Sequence, residues 1–170
     1  LPGFRVLRGV EANIKADGCL DLPDEVLAGL DLVIAGVHGG MNQSEERMTA
    51  RIVRALENPH VDVLAHPSGR LLGKRDPVQI DTAVVFRAAR DNDKMLELNA
   101  MIDRLDLTDR GAAAARDMGI LVSIGTDAHA PHHLDYMQYG VRIARRAWCE
   151  KEHVANALSV QTLLERLGRT

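Results

Sequence analysis

The stretch Ser123-Ile124-Gly125-Thr126-Asp127-Ala128-His129-Ala130-Pro131 decides how the rest of the chain is read. An apolar run over residues 120–124 empties into a carboxylate and an imidazole two positions apart, and a proline then stops the chain. In an extended segment, residues two apart point the same way. Asp127 and His129 are therefore expected to face one cavity, with Ala128 turned away. The same grammar recurs upstream. Glu11 in "RGVEANI", His38 in "AGVHGG" and His66 in "LAHPSG" also stand at or near the C-terminal ends of apolar runs.

Helical patterns separate these runs. Strands are expected over residues 5–14, 32–38, 61–66, 94–99 and 120–124. A short helix is expected over 24–30. Ser44 reads as the N-cap of the next helix, with Glu45 and Glu46 in the first turn, where the helix dipole favours acids. Met48, Ile52, Ala55 and Leu56 form its apolar stripe, and Asn58-Pro59 ends it. Asp76-Pro77 is expected to open a helix with Ile80, Val84 and Ala88 on one face. Thr108 caps another helix that Gly119 ends, and residues 151–167 read as two short helices. Strand alternating with helix argues an α/β fold with a mostly parallel sheet or barrel. In such folds the strand C-termini open on one face, where ligands and catalytic groups gather.

Two carboxylates and three imidazoles are thus expected on one rim, a donor set that suits zinc, manganese or iron. A single His after a strand is more often a hydrogen-bonded loop residue than a ligand. The weight lies in five such residues falling on one rim. His60, His132, His133 and His153 are not expected among the ligands. Asn99, at a strand end, either orients a ligand or water or caps a turn.

The bulk composition sets outer limits. The 170 residues suggest one domain. A net charge of −3 advertises no global field for nucleic acid. Cys19 and Cys149 form no metal or redox spacing, so a reducing, cytoplasmic location is the simplest expectation. No apolar run approaches the roughly 20 residues of a membrane span. The chain begins at Leu1 and runs almost at once into a strand, so a fragment of a longer protein is expected.

The motifs "GVEANI", "AGVHGGMN", "LAHPSGRLLGKR", "LELNA...RLDL" and "IGTDAHAPHHLDYMQYGVRIARRAW" resemble, in order and spacing, the later part of a PHP (polymerase and histidinol phosphatase) domain. They are most similar to the PHP domain at the C-terminus of bacterial family X DNA polymerases. The resemblance implies that residues 1–170 are the C-terminal portion of a single PHP domain, a partial distorted (β/α)7 barrel. It implies divalent metal ions, manganese or zinc, up to three in a complete domain. Glu11 matches the glutamate that bridges two metals. His38 and His66 match the histidines completing the second site, Asp127 a ligand of the first and His129 a ligand of the third. The family's His-x-His strand and two further ligands would lie upstream of Leu1, so at most one well-formed site is expected here. "HGGMN" departs from the pattern where a Ser is expected after the His, and "NAMIDR" where a proline-containing stretch is expected.

The resemblance further implies metal-dependent phosphoester hydrolysis. The form it takes is 3′–5′ exonuclease and 3′-end processing work in DNA repair, with DNA 3′ ends and an upstream polymerase domain as partners. The basic residues Arg70, Lys74 and Arg75, together with Arg104, are candidates to hold a substrate phosphate; a solvated surface loop is the plainer alternative. Arg142, Arg145 and Arg146 run toward Trp148, which either stacks on a base or, as favoured here, packs partly buried. Two other functions stay open: a small-molecule phosphatase of histidinol-phosphatase type, and a non-catalytic scaffold supporting a polymerase core. The isolated chain is expected to be weakly active or inactive.

Overall fold

The structure, a computed structural model, describes residues 4–168. Its strands are β1 Gly9–Asn13, β2 Leu32–Gly36, β3 Val63–Leu64, β4 Met95–Asn99 and β5 Val122–Gly125. Between and after them lie α1 Asp24–Leu27, α2 Glu45–Leu56, α3 Thr82–Asp91, α4 Asp109–Asp117, α5 Met137–Arg146 and α6 Val160–Arg166. All neighbouring strands are parallel, and their order is β1-β2-β3-β4-β5. A doubly wound sheet reverses its strand order at a switch point. This sheet does not, which is compatible with part of an α/β barrel. Either way, every strand delivers its C-terminal end to the same rim. No helix among the described residues is long and apolar enough to cross a membrane.

The elements form for local reasons that the sequence carries. The Ser44 hydroxyl accepts from the Arg47 amide, and Met48, Ile52, Ala55 and Leu56 are buried. Arg51 is buried as well, because its guanidinium donates to the carbonyls of Ile14 and Gly40 and ties down the chain after β1 and β2. The Thr108 hydroxyl accepts from Gly111. Gly119 leaves α4 at φ 73°, a left-handed conformation that glycine adopts without strain.

Side chains alternate across the sheet. Leu96 and Leu98 enter the main core with Val33, Ala35, Val122, Ile124 and Phe86. The opposite face carries Leu32, Ile34, Val63, Met95 and Leu121 toward its N-terminal end, packed with Ala155 and Leu167. The same alternation puts Glu11, Gly36, Glu97 and Asn99 on that face toward the rim. The free edge of β5 is partly covered. The Asn156 amide accepts from the Ile124 N–H at 2.7 Å and donates to the Ile124 carbonyl at 2.9 Å, as a neighbouring strand would.

Some elements differ from expectation. The helix expected from Asp76-Pro77 begins only at Thr82, capped by Asp81. The Val78 amide donates to the Ser68 carbonyl and the Asp81 amide to the Thr49 hydroxyl, both at 2.9 Å. These tertiary bonds hold the segment open and override the proline's preference for a first helical turn. The buried face is accordingly Val85, Phe86 and Ala89. β1 is shorter than its apolar pattern, and β3 keeps only two residues. The tail forms two 3-10 turns, Lys151–His153 and Ala155–Ala157, before α6.

Candidate metal centre

Glu11 lies on β1, while His38 and His66 follow β2 and β3 by two residues. Because those three strands are adjacent and parallel, their rim residues meet. His38 Nε2 lies 2.8 Å and His66 Nε2 3.0 Å from the same carboxylate oxygen, Glu11 Oε1. The rings stand edge to face, with centroids 5.2 Å apart. One donor atom from each of the three residues lies within 4.8 Å of the others. The two imidazoles hold the Glu11 carboxyl well below the usual carboxylate range, outweighing its burial. The His66 side chain is 2% exposed, and its Nδ1 is buried without a partner.

A glycine leaves the space beneath. A Cβ on Gly36 would lie 2.9 Å from His38 Cε1 and 3.0 Å from His66 Cε1. Two imidazoles and a carboxylate converging on one point fit a zinc or manganese ion.

The strand-end reading, which held Glu11 and Asp127, missed a third carboxylate. Glu97 sits inside β4, where all five residues are buried. Its Oε2 accepts the His66 N–H at 2.7 Å, and Asn99 Nδ2 reaches both of its oxygens at 3.4 Å. Burial pushes its pKa up to about 7, against the His66 N–H that favours the anion. Gly125 makes room for it, since a Cβ there would lie 2.7 Å from Glu97 Oε1. The signal in the sequence is a lone glutamate between leucines, in "MLELN".

Asn99 carries the network onward by donating to Asp127 Oδ2 at 3.2 Å. Asp127 is linked to the Glu11–His38–His66 cluster through Asn99, Glu97 and His66, and also pairs with Arg104 at 3.3 Å. The extended geometry expected at residue 127 does not hold, because its φ is 50°. The alternation rule therefore fails here, and the His129 side chain is 74% exposed. Its Nδ1 donates to the Asp127 carbonyl at 2.6 Å.

The basic candidates separate. Arg70 donates to the carbonyls of Arg104 and Leu105, and Arg75 donates twice to the Gly69 carbonyl. Lys74 pairs with Asp103 at 3.6 Å. All three thus brace the loop they belong to. Arg104 faces Asp127, and its Nη1 is buried without a partner. Trp148, expected to pack partly buried, is 81% exposed at the end of α5.

The loop behind His66 has its own anchor. Asp106 Oδ2 accepts from the Ser68 amide, the Ser68 hydroxyl and the Gly69 amide at 2.9–3.0 Å. Asp106→Ala leaves three donors without that acceptor and is expected to cost about 3 kcal/mol of stability, measured by denaturant unfolding. Burial raises the Asp106 pKa. The folded state therefore binds the proton more tightly than the unfolded one. Stability from this group is greatest at low pH and falls as pH climbs through and above the ordinary carboxylate range. Asp106→Asn should lack that fall.

A sequential parallel sheet with a two-histidine, one-carboxylate cluster at its rim defines an α/β domain whose rim offers a set of donors that could hold a metal ion. No family model matches the chain. It is 45% identical over 166 residues to the DNA polymerase/3′-5′ exonuclease PolX of Bacillus subtilis, covering 98% of this chain and 29% of that protein. It is 30% identical over 166 residues to a probable phosphatase of Thermoanaerobacter sp., covering 92% of this chain and 65% of the relative. It is 31% identical over 178 residues to a probable phosphatase of Edwardsiella ictaluri, with coverage of 98% and 70%. The chain belongs to the PHP family, the relatives spanning a family X polymerase and probable phosphatases.

Proposed function

We propose that this chain is the C-terminal portion of a PHP domain that hydrolyses phosphoester bonds at DNA 3′ ends. The observation that carries the reading is the convergence of His38 and His66 on one oxygen of Glu11. These three residues hold a divalent cation, manganese or zinc. Such an ion supplies Lewis acidity toward a phosphoryl oxygen and acidifies water. Glu97 fixes the backbone of His66, and Asn99 fixes Asp127. Asp127 and His129 contribute to further ion sites whose remaining donors come from elsewhere in a complete domain. Arg104 brings positive charge to the same rim and Arg70, Lys74 and Arg75 a basic loop beside it.

The 45% identity to a protein named as a polymerase and 3′–5′ exonuclease supports DNA as substrate, an upstream polymerase domain in the same protein, a role in DNA repair and a cytoplasmic setting. The phosphatase relatives, of which the chain spans 65% and 70%, support a second reading, hydrolysis of a small phosphomonoester.

The test is an assay of the full-length protein on 5′-labelled single-stranded DNA and on p-nitrophenyl phosphate, with manganese, with zinc and with chelator. Stepwise shortening of the DNA from its 3′ end, abolished by chelator, is expected. Hydrolysis of the ester with the DNA left intact transfers the assignment to the small-molecule reading. No turnover of either substrate with either metal removes the enzymatic reading.

A further inference from the structure

Between Asp127 and α5 the chain forms a 3-10 helix, Pro131–Tyr136, in which no residue is buried. It nevertheless carries His132, His133 and Tyr136, and Tyr139 follows on the next turn. The chain has only two tyrosines, and both stand here. His133, Tyr136, Tyr139 and Arg142 recur at every third position. A 3-10 helix has three residues per turn, so side chains at i and i+3 eclipse. The His133 and Tyr136 rings are accordingly stacked, 5.2 Å apart at 18°. From Met137 the helix is α, with 3.6 residues per turn, and the same step now falls to one side. Tyr136 and Tyr139 are tilted at 47° with centroids 5.9 Å apart. The Arg142 guanidinium completes the row, 5.8 Å from the Tyr139 ring centre.

The row begins at the rim. His133 Nδ1 accepts from the His129 amide at 3.1 Å, and the His129 ring is bonded to the Asp127 carbonyl. Through Asn99, Glu97 and His66, Asp127 is hydrogen-bonded to the same network as Glu11. The charge of the segment also differs from that of the chain. Residues 132–146 contain one acid, Asp135, against Arg142, Arg145 and Arg146, whereas the whole chain carries −3. Arg146 is paired with Asp109.

A row of half-buried rings ending in an exposed guanidinium offers partly open faces to stack unpaired bases and a charge to steer their phosphates. We propose that His133, Tyr136, Tyr139 and Arg142 form a stacking ledge for the unpaired nucleotides of single-stranded DNA whose 3′ end lies at the metal centre. The inference rests on the proposed action on DNA and adds the surface that holds the strand.

Binding of a 5′-fluorescein-labelled oligodeoxynucleotide to the full-length protein, read by anisotropy in EDTA, tests the ledge without hydrolysis. Replacing both Tyr136→Ala and Tyr139→Ala is expected to raise Kd about tenfold or more. Tyr136→Phe with Tyr139→Phe keeps both rings and should stay near the wild-type value. An unchanged Kd in the alanine pair, or an equal loss in the phenylalanine pair, overturns the proposal. Tyr136→Trp in a Trp148→Phe background gives a second reading that does not need the alanine pair to fold. Stacking should quench the indole as DNA saturates the protein, and no quenching overturns the ledge. Wild-type protein that binds DNA through these rings yet cleaves nothing with metal would sink the proposed hydrolysis and leave the ledge standing.

Discussion

His66→Ala is expected to lower divalent-metal affinity by about 100-fold or more, and phosphoester hydrolysis with it. Removing a group that merely orients a metal ligand costs 10–100-fold, and in the proposed centre His66 is a ligand itself. Its Nε2 meets Glu11 Oε1 at 3.0 Å, and its side chain is almost fully enclosed. Without it, Glu11 and His38 keep two donors where three converge. The alanine variant also leaves a cavity, so a loss of activity alone would be ambiguous. His38 resolves this. Its ring is 39% exposed, so His38→Ala removes a donor from the same carboxylate oxygen with far less packing. Both variants should lose metal in competition with a chromophoric chelator, while only His66→Ala loses much stability. Wild-type metal affinity in His66→Ala would leave the proposed chemistry without a centre.

Glu97→Ala is the second large effect. The substitution strips the buried His66 N–H and the Asn99 amide of their shared acceptor. An unpaired buried donor costs about 1–3 kcal/mol, and the freed His66 backbone should weaken metal binding about 10–100-fold. Glu97→Gln still offers an oxygen to the His66 N–H and should recover most of that affinity. The two readouts separate positioning from bulk stability. If Glu97 only stabilised the fold, Glu97→Ala would melt earlier yet bind metal like wild type while folded.

Much of this arrangement is legible in the sequence because it follows from chain direction. Apolar runs that end on Glu11, His38 and His66 are visible without coordinates, and parallel strands carry their ends to one side. Glu97 escaped because it lies inside a strand, and only the pairing of β4 with its neighbours shows that it faces the rim. Arg70 and Arg75 cluster in sequence as if to greet a phosphate. Their guanidinium groups bond to carbonyls of their own loop and of residues 104 and 105, which composition does not reveal. The helix expected at Asp76-Pro77 failed for a related reason. Bonds to Thr49 and Ser68, distant or folded back in the chain, outweighed a local proline preference. The geometry of Asp127 was hidden by its left-handed backbone, which Asp adopts more readily than most residues but which its type alone does not announce.

That backbone has a consequence for how the protein can change. His66 at φ 26° and Asp127 at φ 50° both occupy a region where a side chain is a burden of order 1–3 kcal/mol. Glycine would relieve the backbone at either position while deleting the side chain, but at 66 it would also empty an enclosed site. Selection for heat tolerance alone would therefore draw position 127 toward glycine before position 66, and selection for the proposed hydrolysis would hold both, so a lineage released from that chemistry should change first at 127.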